Sequence, residues 1–188
     1  MNSMLRSPLS DVRLRAFFSI LPPPPMRPVI ESLGATKRRA HGLRARIITG
    51  ERVHNTLAPA YRPDASLEDI IVRAKQAADG FAHPAFRVQF NSTASFRHGA
   101  QRYPLVLRGS DEDVSSLISF QRKLAARMRR VGLQVEAGFT PHVTLMWADR
   151  CIEEYPIAPI AWTVQEFVLT IIFQGISRHI HVARWPLD

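Results

Sequence analysis

The chain has 188 residues, enough to bury a core in one domain or two small lobes. Its 25 Lys and Arg against 16 Asp and Glu leave a formal charge of +9, most of it carried by Arg, which favours polyanions without specifying one. A single cysteine excludes a disulfide framework and argues against a cysteine-held zinc site; no apolar run reaches the roughly 18 residues of a membrane span.

Residues 1–12 lack the apolar core of a signal peptide and read as a polar, flexible tail. Arg13–Ile20 reads as a strand, stopped by the prolines at 22–25. A helix starts near Pro28, a favoured first-turn residue, and runs to about Ala40 with Val29, Ile30 and Leu33 as its apolar stripe. Leu43–Ile48 and Arg52–Ala58 follow as strands about a Thr49-Gly50 turn. Ser66, with Asp69 three residues on, caps a helix to about Ala78. Phe86–Phe90 reads as a strand and Asn91–Gln101 as a polar loop.

Tyr103–Arg108 is the next strand, and Ser110 with Asp113 again resembles a cap. Val114, Leu117, Ile118, Leu124, Ala125 and Met128 then recur at helical spacing, with Gln121 the one polar member of the stripe. Arg122, Lys123, Arg127, Arg129 and Arg130 form its solvated face, and Gly132 ends it. A proline-broken stretch leads to Pro159, and Trp162–Phe173 and His179–Trp185 close the chain as strands, with Arg178 in the turn between them.

Two tetrads stand out: His54-Asn55-Thr56-Leu57 and His142-Val143-Thr144-Leu145, 88 residues apart, each H-x-T-L. Side chains alternate along a strand, so each His shares a face with the Thr two residues on. Two imidazoles can divide acid and base work on one phosphate while two hydroxyls hold its oxygens, without a metal. An unperturbed imidazole titrates near 6.5, so both protonation states are accessible at neutral pH. Asn55 falls among the apolar positions and needs partners if buried.

Element order repeats: strand, helix and tetrad span 41 residues from Arg13 to His54 and 39 from Tyr103 to His142. Such a repeat suggests duplication, with both tetrads brought to a central cleft about a pseudo-twofold axis. His179 and His181 share a strand face but lack a neighbouring carboxylate or thiolate, which makes a poor metal site. His41, His83 and His98 lie in turn-like polar stretches and are expected at the surface. Of Phe17 and Phe18, one is expected in the core and the other on the cleft.

On these motifs the chain resembles the 2H phosphoesterase superfamily, and within it the bacterial 2′-5′ RNA ligases or RNA 2′,3′-cyclic phosphodiesterases. RLRAFFSILPP, RVHNTL, YPLVLRG, FTPHVTL and FQGISRHIHVARWPL carry the resemblance, which spans about residues 13–188. It implies an α+β fold of duplicated lobes (roughly 13–100 and 101–188) within one domain, with antiparallel sheets, outer helices and a cleft between. It implies His54 and His142 as the catalytic pair, with His142 the base towards water and His54 the acid, and Thr56 and Thr144 as the phosphate ligands. The implied substrate is RNA ending in a 2′,3′-cyclic phosphate, opened to a 2′-phosphate or joined in reverse through a 2′-5′ linkage. No metal, cofactor, membrane or obligate protein partner is implied, and the expected compartment is the cytoplasm.

The chain departs from the pattern in two places. Asn55 stands where an apolar residue is common. Met146-Trp147 replace a small residue and Arg, leaving Arg150 and Trp147 as candidate RNA contacts. Two alternatives stay open: a 2H enzyme for a small cyclic nucleotide or a 2′-5′ oligonucleotide, and an RNA-binding protein that keeps the fold without turnover.

Overall fold

A computed structural model describes residues 14–96, 102–173 and 178–188. The expected tail at 1–12 and His98 lie outside them. The strands are β1 (Leu14–Ile20), β2 (Asn55–Ala60), β3 (Phe86–Ser95), β4 (Tyr103–Arg108), β5 (Val143–Ala148), β6 (Tyr155–Val164), β7 (Glu166–Phe173) and β8 (Arg178–Pro186). The helices are α1 (Arg27–Ala40), α2 (Leu67–Ala78) and α3 (Ser115–Arg130). The strands form two four-stranded antiparallel sheets, ordered β2-β1-β7-β8 and β5-β4-β3-β6.

The two orders match position for position. Each tetrad strand lies at an edge, beside the strand that opens its half of the chain, which is the duplicated α+β fold expected. A cut near residue 100 does not separate the sheets, however. β3 belongs to the second sheet, and β7 and β8 return to the first. The halves therefore exchange strands unequally, one passing to the second sheet and two to the first.

Local chemistry sets the element ends. Ser66 Oγ accepts the Asp69 N–H at 3.1 Å, the expected cap of α2. Pro28 sits in the first turn of α1. Ser110 Oγ accepts the Asp113 N–H at 3.3 Å, but it braces a turn ahead of α3 rather than the helix itself. Gly132 follows α3 at φ +80, a conformation glycine adopts without strain.

Several strand expectations change. Leu43–Ile48 forms no strand; Ile47 makes a single antiparallel bridge to Met146 on the β5 edge. The first tetrad strand starts at Asn55, because residues 50–52 form a 3-10 turn. β3 runs on to Ser95, since Ser92–Ser95 pair with β4. The proline-broken stretch is largely β6: Pro156 and Pro159 are tolerated because β6 is an edge strand whose register shifts there. Trp162–Phe173 divides at Gln165 into strands of different sheets, and Arg178 begins β8 opposite Phe173.

One apolar cluster spans both sheets and the three helices, with Phe18, Ile20, Phe90, Leu107, Phe120 and Phe167 fully buried. Burial of each such side chain contributes about 1.5–3 kcal/mol. His41 and His83 are half-buried rather than exposed. His83 packs among Phe81, Phe86 and Phe120 with ring centroids 5.1–6.1 Å away. Arg127 also leaves the solvated face: its Nε donates to the Ala77 carbonyl at 2.6 Å, tying α3 to the end of α2.

Candidate functional site

The two tetrads are held in the same way. His54 Nδ1 lies 2.6 Å from the Arg52 carbonyl, and His142 Nδ1 lies 2.8 Å from the Thr140 carbonyl. A carbonyl only accepts, so in each ring Nδ1 carries a proton, which leaves Nε2 as the atom that takes or gives one. A β-bulge then follows each Thr: β1 pairs Ser19 with Thr56 and Phe18 with Ala58, and β4 pairs Val106 with Thr144 and Leu105 with Met146. Leu57 and Leu145 are the extra residues, and both are buried.

Both threonines border one space. A cavity of about 570 Å³ is bordered by Thr56, His142, Thr144, Phe96 and Trp147, with residues 135–140 as a further wall. Gln121 also borders it, which explains the polar member of the α3 stripe. Trp147 is 47% exposed and shares the Thr144 face, since Pro104 and Val106 of β4 pair with these two residues. Arg150 is exposed beyond the end of β5 and does not border the cavity.

His54 does not border that cavity either. Its ring packs on Phe17 at 5.1 Å and edge-on to His179 at 5.3 Å. Burial, the largest cause, pushes its pKa below 6.5; the Arg52 carbonyl opposes this, and the charge of His142 adds to the lowering. The charge of His142, on the other tetrad, is thus felt at His54. Phe17 is the cleft-side phenylalanine and Phe18 the core one, as their alternation requires.

β8 supplies two more imidazoles. His179, half-buried beside His54, is lowered to about 4, by burial first and then by the charges of His54, Arg52 and His181. His181 Nδ1 accepts from Arg184 Nη2 at 3.0 Å, which puts its proton on Nε2, buried and without a hydrogen-bond partner among the described residues. Glu51 lies 3.8 Å from the His181 ring and 3.8 Å from Arg27. Among the described residues no three His, Cys, Asp or Glu side chains converge to hold a metal.

Asn55 is wholly buried and shares a face with Ile20, its β1 partner, and neither amide atom has a partner among the described residues. The sequence pattern exposes this conflict but hides the cavity wall at 135–140, which has no periodicity. Arg52 and Phe96 also escape it, since only strand pairing and the backbone bond bring them to the histidines.

Solved phosphoesterase structures share this fold. The chain is 23% identical to apo E. coli LigT, with a TM-score of 0.68 and 93% of this chain and 97% of that one covered. To LigT complexed with 3′-AMP it is 24% identical, with a TM-score of 0.67 and 93% and 98% covered. TT0787 of Thermus thermophilus is 16% identical, with a TM-score of 0.60 and 92% and 97% covered. No curated protein matches the chain significantly. The family model of the 2′-5′ RNA ligase superfamily matches residues 22–172, and the chain belongs to that family, a 2H phosphoesterase group.

Proposed function

We propose that the protein is an RNA 2′,3′-cyclic phosphodiesterase that opens the cyclic phosphate to a 2′-phosphate by two-histidine acid–base catalysis, with 2′-5′ ligation when a 5′-hydroxyl attacks in place of water. The observation that carries this reading is the like anchoring of His54 and His142, each two residues ahead of a Thr that borders one cavity. One imidazole takes the proton of water as its oxygen bonds to phosphorus. The other protonates O3′ as the P–O3′ bond breaks, leaving a 2′-phosphate and a 3′-hydroxyl. Each such role is worth about 10²–10⁴-fold.

Burial favours the neutral, proton-accepting form of His54 in the empty cleft. We therefore assign His54 as the base and His142 as the acid, the reverse of the assignment expected by analogy. Thr56 and Thr144 donate hydrogen bonds to the non-bridging oxygens, where charge grows in the transition state. Trp147 offers a stacking face for the terminal base, in keeping with a LigT structure that holds 3′-AMP. We assign Arg150 no contact with the reacting phosphate. The compartment is the cytoplasm, in keeping with the exposed, unpaired Cys151; no described helix is long and apolar enough to cross a membrane.

The test is hydrolysis of a short RNA ending in 2′,3′-cyclic phosphate, in EDTA. Accumulation of a 2′-phosphate end is the expected result. A 3′-phosphate product, or no turnover until a divalent metal is added, contradicts the reading.

A further inference from the structure

A second cavity of about 650 Å³ opens beyond the first, bordered by Arg15, Tyr61, Arg62, Asp64 and Gln134. The two adjoin, because Pro59 and Glu136 border both. Strand register explains the adjacency. Ser19 pairs with Thr56 and Phe17 with Pro59, so the face of the first sheet that carries Thr56 also carries Pro59. Two residues beyond this pair, on that same face, come Arg15 from β1 and Tyr61 just past β2. The opposite wall of both cavities is the segment from Gln134 to Thr140 that leads into His142. Gln134 N–H donates to the Tyr61 carbonyl at 2.8 Å, which fixes the two walls to each other at the far end.

The side chains along this groove are those that hold a single nucleic-acid strand. Tyr61 is 54% exposed although it borders a cavity, and Arg15 is exposed on the same face. An aromatic face and nearby guanidinium groups are how sequence-tolerant sites take a base and its phosphate. Glu136 at the seam and Asp64 at the far end repel phosphate, so the backbone is confined to Arg15 and Arg62. Glu136 is left to accept from a ribose hydroxyl or a base N–H.

We propose that the second cavity binds the nucleotides on the 5′ side of the reacting end, with a base on Tyr61 and a backbone phosphate met by Arg15 and Arg62. The inference rests on the reading of the first cavity as the site of an RNA end. It makes the substrate an oligonucleotide rather than a cyclic mononucleotide.

The experiment compares kcat/KM for a tetranucleotide ending in 2′,3′-cyclic phosphate with that for a 2′,3′-cyclic mononucleotide. Wild type is expected to prefer the tetranucleotide by about tenfold or more, since stacking one base is worth about 1–3 kcal/mol. Tyr61→Ala and Arg15→Glu should each abolish most of that preference and leave the mononucleotide rate within about twofold. Equal rates on the two substrates in wild type, or equal losses on both in the variants, overturn the proposal. If neither substrate turns over, the reading of the first cavity fails, and a fluorescein-labelled tetranucleotide with a plain 3′-hydroxyl then tests the second cavity alone. Binding weakened about fivefold or more by Arg15→Glu supports it, and unchanged binding overturns it.

Discussion

The two tetrads share a backbone and differ in their surroundings. β2 and β5 have the same pattern of buried and exposed residues, the same bulge after Thr, and the same carbonyl two residues before the His fixing its Nδ1. Around His54, however, stand Phe17, His179 and the charge of Arg52, whereas His142 packs edge-on to Phe96 at 4.8 Å and borders the open cavity. At the middle position one half buries Val143 and the other buries Asn55. Duplication thus supplied two copies of one device for presenting an imidazole, and the neighbours made the copies chemically unequal. A base and an acid require that inequality.

Replacing either His tests the shared device with the largest expected effect. His54→Ala and His142→Ala should each lower kcat on a cyclic-phosphate RNA by about 10²–10⁴-fold, read by single-turnover kinetics on folded protein. Thr56→Val and Thr144→Val should follow at about 10²–10³-fold each, mostly in kcat, as for the loss of one donor to a developing oxyanion. A loss confined to KM would make the hydroxyls ground-state binders only.

The unequal surroundings predict a pH signature. His179 is lowered to about 4 in the folded protein against 6.5 unfolded, so the unfolded chain binds the extra proton first. The stability tied to this ring is fully present above about 6.5 and is lost as pH falls towards about 4. Thermal unfolding should show Tm dropping across that window, and His179→Phe should flatten the drop. With His54 as base, the acid limb of kcat/KM should also lie below 6.5. A limb at or above that value would return the base role to His142.

The smallest expected effect concerns the middle residue. Asn55→Leu removes a buried amide that has no partner among the described residues, and denaturant unfolding should show a gain of about 1–3 kcal/mol. A loss of similar size would mean that the amide is bonded in solution and helps to hold the first tetrad.

Much of this asymmetry was legible in the residues, and much was not. H-x-T alternation, the Ser66 cap and the α3 stripe are local patterns, fixed by strand and helix periods, so their positions followed from spacing. Asn55 announced itself by breaking the alternation. What failed to show was non-local. β6 tolerates Pro156 and Pro159 because no described strand pairs on its outer side, and sheet order is not written in any window of sequence. His179 reaches His54 through two intervening strands, β7 and β1. The 134–140 wall is an irregular segment positioned by its ends.

The most direct measurement is a double-mutant cycle at His54 and His142, with kcat determined for wild type, both single alanine variants and the double variant on one cyclic-phosphate RNA. Two imidazoles acting on one phosphate form a unit, so the double variant should lose little more than the worse single variant. Losses that multiply would show two independent sites and contradict the account.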